Sequence, residues 1–150
     1  RRGFTPSDMD SASLVVSATD DSATQQEVVS IARAKGVLIN TVDKPELCDF
    51  IVPAILRRGD VTLAISTSGK SPALAANLRE RLDRVLTDEV ARAANALGAV
   101  RHEVHERFAD AEERKRVFES IVNSGIVEWI GECDDATALQ RVRRIIDGIE

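Results

Sequence analysis

The chain has 150 residues, 20 Lys and Arg against 25 Asp and Glu for a net charge of −5, and 43% hydrophobic content. That balance is globular rather than disordered, and at this length one main core burying roughly 68–70% of the unfolded surface is expected. It also excludes several classes: no apolar run approaches the ~18 residues of a membrane span, the acidic balance and five aromatics argue against a nucleic-acid partner, and Cys48 and Cys133 form no disulfide framework or zinc motif. With no signal-peptide apolar region after Arg1-Arg2-Gly3-Phe4, a cytoplasmic setting is the expectation. No two of the eight glycines are separated by a single residue, so neither a dinucleotide-binding fingerprint nor a P-loop can be written.

In chain order, Leu14-Val15-Val16-Ser17-Ala18 reads as a buried strand that stops at the helix-capping cluster Thr19-Asp20-Asp21-Ser22. Residues 23–35 carry Val28, Val29, Ile31, Ala32 and Ala34 at roughly helical spacing and end at Lys35-Gly36, a cation followed by a left-handed cap. Val37 to Val42 is the next strand. Strand, short helix and strand make a βαβ unit, which demands parallel pairing in an open α/β sheet.

Phe50 to Leu56 and Val61 to Thr67 are two strand-like runs joined by Arg57-Arg58-Gly59-Asp60, too short for a crossover, so an antiparallel hairpin is expected, with Pro53 marking an edge or bulge. Ser71-Pro72 supplies an N-cap and a first-turn proline for a helix whose stripe is Leu74, Ala75, Leu78, Leu82 and Val85. Beyond Thr87 the chain reads helical. One segment has Val90, Ala94, Leu97, Val104 and Phe108 on one side, a second has Val117, Ile121 and Val122, and Asp134-Asp135 opens a last helix through Ile146.

Ligands of open α/β sheets bind outside the carboxyl ends of the strands, and three segments project there. Thr19, Asp20 and Asp21 are sufficient as a helix cap and also stand where a ligand would meet them. Asn40 lies near the end of the second strand and Asp43 just beyond it, and a carboxylate there is placed for general acid or base work, although a turn before Lys44-Pro45 is the plainer reading of the residues. Ser66, Thr67, Ser68, Gly69, Lys70 and Ser71 bring hydroxyls, a flexible residue, a cation and free N–H groups to a helix start, the recipe for an anion site or, more plainly, a capped turn. His102 and His105 lie one helical turn apart beside Glu103 and Glu106. They read as a solvated face rather than a metal site, and no metal ligands are assigned.

Three ordered stretches, Leu14 to Asp21, Val42-Asp43-Lys44-Pro45-Glu46-Leu47-Cys48-Asp49-Phe50 to Ala54, and Ala64 to Ala75, strongly resemble the precorrin-2 dehydrogenase / sirohydrochlorin ferrochelatase family, the N-terminal module of siroheme synthase. The tail around Glu113-Arg114-Lys115-Arg116 is similar to that family's helical region. The resemblance implies a partial Rossmann-type parallel sheet in residues 1–49, a hairpin-plus-helix dimerisation region in 50–86 and an all-helical region in 87–150. It implies a homodimer that oxidises precorrin-2 to sirohydrochlorin with NAD and, in many members, inserts ferrous iron to give siroheme. It puts Asp43 in the role of general base, places Ser66 to Ser71 against the tetrapyrrole, and sets Thr19, Asp20 and Asn40 on the cofactor side.

Two departures from the family pattern stand out. Gln25 replaces a frequent Asn, and the Gly-rich first βα turn is not in this chain, which reads as the larger C-terminal part of a dehydrogenase cut before its cofactor loop. A tetrapyrrole-binding or dimerisation module, or a chelatase that needs no NAD, are the alternatives.

Overall fold

A computed structural model describes residues 2–148. The chain divides into two compact units, one comprising the residues up to Ala54 with Ile65–Asn77, the other Ile55–Ala64 with Leu78 onward.

In the first unit, strand β1 (Leu14–Ser17) leads into helix α1 (Ser22–Lys35) and strand β2 (Leu38–Thr41). The strands pair in parallel with Leu14 opposite Leu38 and Ser17 opposite Thr41, as the βαβ pattern demands. Helix α1 starts where the Asp21 carboxylate accepts the Thr24 backbone N–H at 2.9 Å, and it ends at Gly36 in the left-handed region, φ 68°. Its Val28, Val29 and Ala32 bury Ile39, and Met9 joins them from a short 3-10 turn at Pro6–Met9.

The first strand is not buried on both faces as its composition suggested. Leu14 and Val16 are 59% and 57% exposed, as is Leu38 at 50%, because α1 covers only the Val15, Ser17, Ile39 and Thr41 face. On that covered face the hydroxyls of Ser17 and Thr41 are buried without a protein partner. Thr41→Val keeps the shape and removes an unsatisfied polar group, so thermal melts are expected to show stability unchanged or raised by about 1 kcal/mol. A clear drop would show that the hydroxyl is bonded in solution.

The hairpin forms, but shifted: β3 is Ala54–Arg58 and β4 is Val61–Ile65, joined by a two-residue turn. Pro53 has no N–H to give to a ladder, so pairing begins after it. Helix α2 (Pro72–Asp83) begins as read, with the Ser71 hydroxyl accepting the Leu74 N–H at 3.1 Å. Its expected stripe is mostly open: Ala75 is buried, Leu74 is half exposed, and Val85 lies past the helix end and is exposed.

Four helices build the core of the second unit: α3 (Asp88–Arg107), α4 (Ala111–Asn123), α5 (Ile126–Ile130) and α6 (Asp135–Ile146). The α3 face that packs inward is Ala93, Ala96, Val100 and Val104, and from the expected stripe Val104 is in this core with Leu97 and Phe108 packed against it. Small side chains there let neighbouring helices approach closely. Ile121, Ile126, Trp129, Ile130, Val142 and Ile146 fill the remaining space, while Val122 points out. Among the described residues no helix is long and apolar enough to cross a membrane.

Candidate functional site

The first unit brings two loops together at the carboxyl end of β2. The chain leaves that strand through Thr41-Val42-Asp43-Lys44, a turn closed by the Lys44 N–H on the Thr41 carbonyl at 3.2 Å. Asp43 occupies the third position of the turn with φ 62°, a conformation that normally belongs to Gly or Asn. A 3-10 turn at Pro45–Leu47 follows, and Leu47 packs against the apolar core beneath.

The second loop is Ser66 to Ser71. Its Lys70 N–H closes on the Thr67 carbonyl at 3.0 Å, with Ser68 at φ 54° and Gly69 at φ 77°. A side chain at Gly69 would come within 3.4 Å of Pro45 Cβ and 3.7 Å of Ile51 Cδ1, so the two loops touch. A cleft of about 200 Å3 lined by Asn40, Asp43, Lys44 and Cys48 adjoins one of about 230 Å3 lined by Ser66 and Thr67, and the two share Ile51, Val52, Gly69 and Pro72. Among the described residues Asp43 and Ser68 are the non-glycine residues with left-handed backbone, and each sits on one of these loops. Non-glycine residues persist in that region only where the surroundings over-determine them, and such strain gathers at functional sites.

The hydroxyls of the second loop divide into two groups. Thr67 Oγ1 accepts the Ser71 N–H at 3.0 Å and donates to the Ser71 carbonyl at 3.1 Å, Ser66 Oγ accepts the Ser68 N–H at 3.1 Å, and Ser71 Oγ caps α2. These three shape the loop. Ser68 and Lys70 are exposed at its tip and free to meet a ligand.

At the end of β1, Thr19 Oγ1 accepts the Asp21 N–H at 3.2 Å and Asp20 is exposed. Asp21 does the capping, and its hydrogen bonds from the Thr24 hydroxyl and backbone hold its carboxyl below the usual range. Val42 donates to the Ser17 carbonyl at 2.9 Å, which ties the Asp43 turn to β1. Asn40 Nδ2 donates to the Phe50 carbonyl at 2.8 Å.

The remaining candidates lie elsewhere. His102 Nδ1 is 3.4 Å from Glu106 on an exposed face of α3, and no cluster of three or more metal-ligating side chains exists among the described residues. A hollow of about 350 Å3 beside Arg57, Arg58 and Arg79 in the second unit holds none of the strained residues, and Arg58 there is bonded to Asp83 at 2.6 Å. Sequence reasoning missed Cys48 and Asp49, which hydrogen-bond the turn and β2, and no local signal in the sequence marked them.

Three family models match the chain in succession: a putative NAD(P)-binding domain over residues 1–54, the central region of a sirohaem biosynthesis protein over 58–84, and a sirohaem synthase dimerisation region over 89–146. Along most of its length the chain is similar to sirohaem synthases. Siroheme synthases of Methylobacillus flagellatus and Ruthia magnifica are 32% and 33% identical to it, covering 97% and 98% of this chain and 31% of each relative. That of Nitrosococcus oceani is 35% identical over 85% of this chain and 27% of its own length. The chain thus spans about a third of the length of these relatives. A solved structure described as SirC, precorrin-2 dehydrogenase, superposes with a TM-score of 0.65 at 21% identity, covering 96% of this chain and 69% of that one, and so shares the α/β fold.

Proposed function

We propose that this chain carries the oxidising site that converts precorrin-2 to sirohydrochlorin, with NAD as hydride acceptor. The observation that carries the reading is the placement of both strained residues, Asp43 and Ser68, on the two loops that line one groove at a strand's carboxyl end. The relatives are named siroheme synthases, and the first 54 residues match a putative NAD(P)-binding model.

In this reading the Asp43 carboxylate takes the proton that precorrin-2 loses, and its fixed turn aims it into the groove. Ser68 and Lys70 meet the substrate's carboxylates, while Ser66, Thr67, Gly69 and Ser71 hold the loop in shape. Thr19, Asp20 and Asn40 stand at the open strand ends, where they would hold NAD. NAD supplies the hydride acceptor when bound. The N-terminus of α1 offers no seat for its pyrophosphate, since the Asp21 carboxylate already takes the Thr24 N–H.

That last observation favours a second reading, in which the chain binds the tetrapyrrole and inserts ferrous iron, as substrate, without oxidising it. The two separate by NAD titration and by NADH formation from precorrin-2 in the full-length protein. Turnover unaffected by loss of Asp43 would sink the first reading.

A cytoplasmic homodimer belongs to the same proposal, with residues 1–49 as cofactor-side α/β part, 50–86 as dimerisation region and 87–150 as helical region. The match of a dimerisation model to 89–146 supports extending the contacts into the helices. Lys70→Ala removes one exposed cation facing a polyanion, so KM for precorrin-2 should rise roughly fivefold, about 1 kcal/mol, with kcat little changed. The effect should shrink at high salt. An unchanged KM would remove Lys70 from the substrate site.

A further inference from the structure

The two edges of β2 are treated differently. Leu38 and Val42 direct their N–H groups to β1, bonding the Ser13 and Ser17 carbonyls, so the N–H groups of Ile39 and Thr41 face the opposite edge. That edge is closed by the side chains of Cys48 and Asp49 and the Asp49 backbone N–H rather than by a strand. Asp49 Oδ2 accepts the Ile39 N–H at 3.1 Å, while the Asp49 N–H donates to the Ile39 carbonyl at 2.7 Å. Cys48 Sγ accepts the Thr41 N–H at 3.1 Å, and its thiol lies within 3.2 Å of the Thr41 carbonyl and 3.3 Å of the Lys44 carbonyl. Asn40 Nδ2 reaches the same sulfur at 3.5 Å and the Phe50 carbonyl at 2.8 Å. The sulfur therefore bonds the first and last residues of the four-residue turn that carries Asp43.

We propose that Cys48, supported by Asn40 and Asp49, is a positioning device that holds the Thr41–Lys44 turn closed and so keeps Asp43 in its left-handed conformation. This rests on the reading of Asp43 as the base. At φ 62° Asp43 occupies a region that residues with a Cβ populate sparsely, and pinning both ends of the turn favours that conformation over the right-handed and extended alternatives. The thiol is suited to the place because one sulfur accepts from a backbone N–H and donates to either of two carbonyls. Without it the Thr41 N–H loses its partner at the point where the turn begins.

The test uses the full-length protein and NADH formation from precorrin-2. Cys48→Ala should lower kcat roughly tenfold to a hundredfold while leaving KM for precorrin-2 in place, the signature of a misplaced base rather than a lost binding contact. Cys48→Ser, whose hydroxyl both accepts and donates, should recover most of the loss. Cys48→Val, which fills the volume without the bonds, should not. In an Asp43→Asn background Cys48→Ala should cost nothing more, since both substitutions remove the same function. Full kcat in Cys48→Val, or a loss that multiplies in the Asp43→Asn background, overturns the proposal while leaving the function intact. Unchanged turnover in Asp43→Asn alone overturns the underlying functional reading instead.

Discussion

Asp43→Ala in the full-length protein is expected to lower kcat for NADH formation from precorrin-2 by about 10²–10⁴-fold, the usual contribution of a positioned general base. The backbone makes a second, opposite expectation about stability. Asp43 sits at φ 62°, where a residue with a Cβ is strained and glycine is not. Asp43→Gly should therefore melt at or above the temperature of the native protein despite losing all catalytic use of the position. Asp43→Ala should be less stable than Asp43→Gly by about 1 kcal/mol, because alanine keeps the Cβ and lacks the short polar side chain that eases this conformation. Parallel melting curves and turnover on the two variants check both halves. If both variants lose stability alike while turnover survives, the turn is a structural feature and Asp43 is no base.

How much of this was legible in the sequence depends on the range of the forces involved. The βαβ unit could be read because its signals are local: β-branched runs, the Asp21 cap and the Gly36 terminus each act within a few residues. The hairpin was legible as a hairpin but misplaced, because Pro53 sets where pairing starts and the run of apolar residues hides that. The short helix α5 was not legible. Its five residues lie between Gly125 and Gly131, too few to show a helical period.

The site divides in the same way. A loop with hydroxyls and Lys70 before a helix start is visible in the sequence, and the structure puts it there. Which hydroxyls are available is not visible, since Thr67 and Ser71 are engaged by loop atoms that only the folded turn brings near. Asp43 is a harder case. A left-handed turn position announces itself most clearly by glycine or asparagine; aspartate tolerates it too but serves ordinary turns as well, so the backbone has to be seen. Cys48 was silent for a similar reason, because its partners are backbone groups of residues four and seven positions away.

The second large effect is expected far from the groove. Ile121 is fully buried on α4 among Val100 and Val104 of α3, Ile126 and Trp129 of α5, and Val142 of α6. Ile121→Ala removes three carbons from a packed site and should cost about 2–5 kcal/mol, a large share of the 5–15 kcal/mol that stabilises a typical domain. The neighbouring Val122 is 54% exposed, so Val122→Ala should change the stability of a monomer by no more than ~0.5 kcal/mol. Urea titrations of the two variants at several protein concentrations carry further information, because the segment around both residues matches the family's dimerisation region. The Ile121 loss acts inside one subunit and should persist at every concentration. A Val122 loss that appears only where the dimer forms places that side chain in the subunit interface. A cost below about 1 kcal/mol for Ile121→Ala would show that the four helices do not pack as described.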